Sequence, residues 1–299
     1  MTDRYAIEVE GLHRSYGRRS ALQGLDLQVE KGQFHGLFGR NGAGKTTLLK
    51  CLLHQLRPSR GQVRIFNMDP AVRDVDVKAR IGYVPDEANF YPWMTVRNTL
   101  DYMASFRAHW NRDLEAELVH ERFKLSEKQR VRNLSKGMRM QLALICALCP
   151  EPELLILDEP TSGLDPVVRR EFIETVIGAY QTDGPEPRTL LVSTHLIEEF
   201  EGLIDAFTII DRGRQIVTVT SDEARRRFKK VLLLFDDTPP TVSEPFILTS
   251  EPFGRELQLT VRGFSPDVER QLRGYSPISM QTEDLSMEDI FIASTGGRG

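Results

Sequence analysis

Three cysteines, a net charge of only −4 and the absence of any long apolar run set the first limits on this 299-residue chain. A membrane-spanning helix needs roughly 18–20 consecutive apolar residues. The longest apolar stretches, LALICALC and VLLLF, fall well short and read as interior helix or strand. Any membrane role is therefore expected of a partner. The opening MTDRYAIEVEG has no apolar core of the kind a secretory leader carries, so none is expected. Three cysteines are too few for a disulfide framework and fit a reducing cytosol. Cys146 and Cys149 form a CxxC, but they end an apolar helix just before Pro150, and no second Cys/His pair completes a metal site. Buried packing is expected of them. The small net charge gives no global sign of nucleic acid or of a polybasic membrane contact.

What is present is an ordinary globular composition, 40% hydrophobic and 27% charged, long enough for two domains or for one large domain with an appendage. No internal repeat or low-complexity tract interrupts it. YAIEVEGL and LDLQVEKG alternate apolar and polar residues as half-buried strands do. FHGLFG, LLILDE, TLLVSTH and AFTIID are compact apolar runs, the pattern of parallel strands covered by helices on both faces. Between Arg80 and Pro150 the pattern turns helical, over Thr95–Trp110, Asp113–Phe123 and Lys136–Cys149. After Ser221 it shifts again. A basic run, Arg225–Arg227 with Lys229 and Lys230, reads as a solvated helix face. VLLLF, the linker DDTPPTVSEP, ELQLTV, a short helix near Asp267–Leu272 and the tail SMEDIFIAST then suggest a small α+β appendage.

Gly39-Arg40-Asn41-Gly42-Ala43-Gly44-Lys45-Thr46 satisfies GxxxxGK[ST] in full, after a strand-like GLF and before the helical KTTLLKCLLHQL. Glycines there let successive backbone N–H groups turn toward a phosphate. Lys45 adds a compact charge for the outer phosphates, and the Thr46 hydroxyl is a Mg²⁺ ligand. ELLILDEPTSGLDP places Asp158 and Glu159 at the carboxyl end of a buried strand, the edge where open α/β sheets bind ligands. Asp158 is suited to holding Mg²⁺ through its water shell and Glu159 to polarising an attacking water. A hundred residues beyond the phosphate loop, Leu134-Ser135-Lys136-Gly137 reads as a capped helix start, a second place where backbone N–H groups meet an anion.

Taken together, these segments resemble the nucleotide-binding subunit of an ATP-binding cassette (ABC) transporter. The resemblance rests on Gly39–Thr46, LSKGM at 134–138, LLILDEP at 154–160, SGLD at 162–165 and His195 in STH, in the family's order across residues 7–220. It implies an α/β fold: a P-loop NTPase core with a mixed sheet flanked by helices, an antiparallel β subdomain and a helical signature subdomain at about 88–150. The nucleotide-binding domain would cover 1–220 and a small C-terminal accessory domain 221–299. It also implies an ATPase that uses ATP and Mg²⁺. Tyr16 would stack on adenine, although by itself it is equally an ordinary strand-end tyrosine. The loop residues 39–46 with Thr47 would hold phosphates, Thr46 and Asp158 would serve Mg²⁺, and Glu159 would be the base. His195 would be the switch residue at the γ-phosphate; without the resemblance, it is an edge histidine. Ser135 and Gly137 would serve nucleotide bound to a second cassette, and Asp165 would lie in the loop that crosses to it.

Two positions depart from the family pattern. Asp86 stands where Gln is common; it can ligate or water-bridge Mg²⁺ but cannot donate a hydrogen bond to water as an amide does. Lys136 and Met138 replace the common Gly and Gln, as in exporter-like members. Phe90, Tyr91 and Trp93 form an aromatic group where the family docks a helix of its membrane subunit, with packing of the insert as the alternative. The expected partners are a transmembrane permease on a separate chain and a second cassette, most simply a copy of this one, with no nucleic acid. The expected place is the cytoplasmic face of the membrane, reached through the permease. Two other readings remain at this point: a soluble cassette ATPase working on ribosomes or DNA, and a regulator that binds ATP without turnover.

Overall fold

The computed structural model describes residues 4–180 and 188–296, which divide into two compact units, Met1–Leu196 with Ile210–Gln215, and Ile197–Ile209 with Ile216–Gly299. In the first unit, β1 (Tyr5–Tyr16) and β2 (Arg19–Glu30) bury alternate residues and pair antiparallel. β3 (Phe34–Phe38) is buried throughout and leads through the glycine loop into α1 (Lys45–Leu52). β4 (Arg60–Ile65) pairs antiparallel with β1, completing a three-stranded sheet. After α2 (Asp74–Ala79) comes β5 (Ile81–Val84).

The helical insert follows as α3 (Val96–Ala104), α4 (Arg112–Ala116) and α5 (Lys136–Leu148). Thr95, Asn111 and Ser135 each cap one of these helices by accepting from the backbone N–H three residues on. The first ends at Ala104, short of the expected Trp110, whereas the second runs on past Ala116 without a break, so that 112–122 is helical much as expected over Asp113–Phe123. Trp110 leaves the helix and donates its indole N–H to buried Glu115 at 2.6 Å, where Arg97 and Arg112 also pair. A carboxylate removed from water needs such partners. Beyond Ala116 the chain widens into a π-helical turn, Glu117–Arg122. Cys146 and Cys149 are buried in the α5 region, and burial pushes the Cys149 thiol up to about 12. They pack and stay protonated, as expected.

β6 (Leu154–Asp158), α6 (Pro166–Tyr180) and β7 (Thr189–Thr194) close the unit's main sequence. Every residue of β3, β6 and β7 is buried, and the pairs β5–β6, β6–β7 and β3–β7 are parallel. Continuous apolar runs are what a sheet covered on both faces requires. In the first unit the sheet order is β5-β6-β7-β3, and the chain goes on to β8 (Ala206–Asp211) and β9 (Arg214–Thr220).

In the second unit, α7 (Ser221–Arg227) is followed at once by β10 (Phe228–Leu234). The basic run is thus not one helix face. Arg225–Arg227 end α7, whereas buried Phe228 starts a strand that sets Lys229 and Lys230 opposite Asp284 and Glu283. β11 (Ile247–Phe253), β12 (Glu256–Arg262), α8 (Pro266–Arg273), β13 (Ser279–Asp284) and α9 (Met287–Gly296) complete the unit. Its antiparallel sheet runs β11-β12-β10-β13. The two edge strands carried no clear sequence signal because they are mostly exposed and polar, SMQTED above all.

Candidate functional site

The glycine loop is fixed by close approach as much as by glycine's freedom. A Cβ on Gly39 would come within 2.7 Å of the Ile210 carbonyl oxygen, and one on Gly44 within 2.7 Å of that of Ala21. Gly42 and Gly44 also adopt φ of 81° and 113°, a region that side chains disfavour. Lys45, at the start of α1, folds back over the loop. Its Nζ donates to the Gly39 carbonyl at 2.6 Å and lies 2.9 Å from Glu159 Oε1, with both side chains largely buried.

Asp158 ends β6 fully buried. Its Oδ1 accepts from Ser193 Oγ at 3.1 Å and from Thr46 Oγ1 at 3.4 Å. Burial raises its carboxyl above the ordinary range, the two hydroxyls oppose that, and the charges of Glu159 and Asp86 add to it. Glu159 follows at φ of 47°, rare for a residue with a side chain and costing about 1–3 kcal/mol. That turn swings its carboxylate between two cationic or donor groups: Lys45 on Oε1, and His195 on Oε2, with Nδ1 at 2.7 Å and the backbone N–H at 3.3 Å. The Glu159 amide is anchored to the Ser193 carbonyl at 2.8 Å. Asp86, just past β5, is also raised by burial, an effect that Lys136 opposes and Glu159 reinforces.

A cleft of about 430 Å³ joins these parts. It is lined by Tyr16 and Arg19, by the glycine loop with Thr46 and Thr47, and by Asp86 and Glu159. Tyr16 is half exposed, with the Arg14 guanidinium 5.2 Å from its ring centre. The chain thus brings together Tyr16, the loop, Asp86, Asp158, Glu159 and His195. Ser135, Gly137 and Asp165 do not line this cleft. Ser135 Oγ accepts from the Met138 amide at 3.1 Å. Gly137 faces Val168, whose Cγ1 would lie 2.9 Å from an added Cβ. Asp165 Oδ1 accepts from the Val167 and Val168 amides, both at 3.1 Å, and so caps α6.

Sequence reasoning missed Ser193 and Arg19. Ser193 carried a signal, since it sits two residues before His195 on a fully buried strand. A hydroxyl there needs a partner, and the neighbouring strand end offers one in Asp158.

The arrangement fits a nucleoside triphosphate with Mg²⁺. Thr46 and Asp158 face one another at the loop, matching an ion that takes one or two protein ligands and fills its shell with phosphate and water oxygens. Among the described residues no group of three or more His, Cys, Asp or Glu side chains forms a self-sufficient metal cage.

The ABC transporter family profile matches residues 22–162. An uncharacterised ABC transporter ATP-binding protein of Bacillus subtilis, YhaQ, is 32% identical over 97% of this chain and 98% of its own. The chain belongs to the ABC transporter family of ATP-binding proteins. The Nod factor export ATP-binding protein I of Rhizobium leguminosarum bv. viciae is 32% identical over 97% of this chain and 95% of that protein. A solved ATP-binding subunit of an ABC transporter superposes with a TM-score of 0.66 at 28% identity, covering 74% of this chain and 92% of that one. The chain is therefore an ATP-binding and ATP-hydrolysing ABC subunit, of a family that uses ATP with Mg²⁺ and generally works as paired cassettes with a permease. No helix among the described residues is long and apolar enough to cross a membrane.

Proposed function

We propose that this chain is the ATPase subunit of an exporter, driving a separate membrane permease from the cytoplasmic face through closure of two cassettes over ATP. One observation carries the chemical part: Glu159, which lines the same cleft as Tyr16, is held by Lys45 on one oxygen and His195 on the other. Glu159 is the base that takes a proton from water. His195 keeps its carboxylate aimed. Lys45 and the loop amides bind the phosphates, while Tyr16 stacks on the base. Thr46 and Asp158 hold Mg²⁺ with Asp86 on the metal side, and Mg²⁺ when bound supplies charge stabilisation at the phosphate oxygens.

Ser135 and Gly137 do not line the cleft described above, which supports their use on the nucleotide of a second copy, with Asp165 in the crossing loop. Residues 1–220 form the motor and 221–299 an accessory domain in this reading. The export direction is supported by the name of the Rhizobium relative, an export protein. The partly exposed aromatic group of Tyr91, Trp93, Tyr102 and Phe106, with ring centres 4.8–5.9 Å apart, supports a permease contact on the helical insert. Phe90, singled out with Tyr91 and Trp93 in the sequence, lines a neighbouring cavity of about 410 Å³.

Phosphate release from MgATP by the wild type and by Glu159→Gln tests the reading. Loss of a general base lowers turnover by about 10²–10⁴-fold, while MgATP should still draw Glu159→Gln chains into dimers. Equal turnover in the two proteins would remove Glu159 from the role. Asp86→Gln, assayed across Mg²⁺ concentrations, should shift the Mg²⁺ midpoint; an unchanged midpoint takes Asp86 off the metal.

A further inference from the structure

Lys136 stands at the first turn of α5, where the family commonly has glycine. A lysine has three rotatable donors on a flexible stem and no acceptor, so what it reaches defines what it does. Here its Nζ donates to the Ser162 carbonyl at 2.6 Å. The Ser162 amide in turn donates to the Glu159 carbonyl at 3.1 Å, and the Leu164 amide to the Thr161 carbonyl at 3.2 Å. Gly163, between them, has a φ of 67°, and an added Cβ there would sit 3.1 Å from the Lys136 ammonium. The ammonium therefore lies against the backbone of the 162–165 loop. Two hydrogen bonds, through one residue, lead from α5 to the backbone of Glu159.

Glu159 is the position where such a tie has leverage. Its backbone is in the left-handed region, held there by the Ser193 carbonyl on one side and by this turn on the other. Its carboxylate oxygens are already committed to Lys45 and His195. A shift of the turn by a few tenths of an ångström would act on that carboxylate through a backbone with little freedom to absorb it. Lys136 and Asp86 also line the same cavity of about 410 Å³, and the hydrogen bond of the ammonium goes to the Ser162 carbonyl of the loop.

We infer that Lys136 is a positioning residue that links the start of α5 to the Glu159 backbone within one chain, so that engagement of Ser135 and Gly137 by the second cassette is felt at the base. The inference rests on Glu159 being the base. It adds a device made of Lys136, Ser162 and Gly163. The coupling runs through a short contiguous chain of polar contacts rather than through distance alone.

The test uses the full-length chain with Lys136→Met, which keeps the stem and removes the donors, and Lys136→Arg, which restores them. Backbone hydrogen exchange without nucleotide should quicken at the Ser162 and Leu164 amides of Lys136→Met by roughly threefold or more, with Lys136→Arg near wild type. In MgATP turnover, Lys136→Met should lower kcat roughly 3- to 30-fold, the range of a residue that modulates coupling without touching ligand. KM should stay within about twofold and the melting temperature should hold. Unchanged exchange and kcat in Lys136→Met would overturn the inference. So would a loss that appears equally in KM and melting temperature and that Lys136→Arg does not repair. If Glu159→Gln hydrolyses ATP like the wild type, the base assignment fails separately, and the exchange measurement still decides the link.

Discussion

Glu159 and Ser135 both follow a buried or ordered segment and both open onto a turn, yet their circumstances differ. Each carboxylate oxygen of Glu159 has a partner within 2.9 Å, supplied by α1 on one side and by the end of β7 on the other. Ser135 spends its side-chain oxygen on the N–H of its own helix and lines no part of the nucleotide cleft. The first region is assembled by folding alone. The second is a helix start whose further use lies outside the chain. Charges that must be held against desolvation are built where strands converge; a recognition surface that must open and close is left on a helix end.

Mixing two defective chains puts this contrast under the greatest strain. Lys45→Ala removes the phosphate lysine and leaves Glu159 Oε1 without its partner, at a cost below the roughly 3–5 kcal/mol of a buried pair broken on one side, because His195 still holds Oε2. Ser135→Asp keeps a good cap but sets negative charge where an anion is to bind. Each alone should lose most activity. A 1:1 mixture should regain about a quarter of wild-type hydrolysis, because half of random dimers are mixed and each mixed dimer has one intact seam. A mixture that stays as inactive as its components, at concentrations where wild-type chains associate, breaks the comparison.

Asp158→Asn sharpens the first side of the contrast. Turnover should fall about 10²-fold or more as the metal-side charge is lost, while thermal stability rises. The amide oxygen still accepts from Ser193 and Thr46, and the cost of keeping a buried charge disappears. Because the folded carboxyl pKa is raised, the folded wild type binds a proton more readily than the unfolded chain does. Its stability therefore falls as pH climbs from the ordinary carboxylate value through the raised one. The gain in Asp158→Asn should be full above that window, about 2–4 °C per kcal/mol, and vanish below it. A melting temperature lower than wild type at pH 8 would count against burial as the cause.

The same division explains what could be read in advance. The glycine loop declares itself by its motif, and LLILD and TLLVST by being mostly apolar, since a strand buried on both faces admits a polar side chain only with a partner, so Asp158, Glu159 and His195 stand out where those runs end. The Ser135 cap of α5 was legible for a local reason, a side chain serving an amide three residues away, whereas the caps at Thr95 and Asn111 emerge only in the fold. Trp110, Lys229 and the two edge strands were not. Trp110 answers to Glu115, the early start of β10 to the burial of Phe228 ahead of Val231 and Leu233, and the edge strands to a neighbour rather than to their own pattern. The link from Lys136 to Glu159 is of that second kind: nothing in LSKGM announces a carbonyl 26 residues on.

The smallest expected effect concerns the support beneath the glycine loop. His35 lies in β3, four residues before Gly39, fully buried with Nδ1 3.2 Å from Gln33 Oε1. Burial lowers its pKa from the ordinary 6.5 to about 3, so the folded chain keeps it neutral through the whole working range. The unfolded chain takes up a proton below about pH 6.5. For this group stability is complete above the unfolded pKa and is lost as pH falls from there toward 3. Between pH 7.5 and pH 5 that amounts to about 2 kcal/mol from one residue. His35→Gln, which keeps a polar group in the strand but cannot titrate, should lose that share of the slope in urea midpoints taken at several pH values. Since the strand carries the loop, wild-type ATP binding should weaken in acid alongside it, whereas the Ser135 helix start has no such group beneath it. Parallel slopes for wild type and His35→Gln would mean that the acid sensitivity of the assembled half arises elsewhere, and that the strand is a less demanding foundation than its burial suggests.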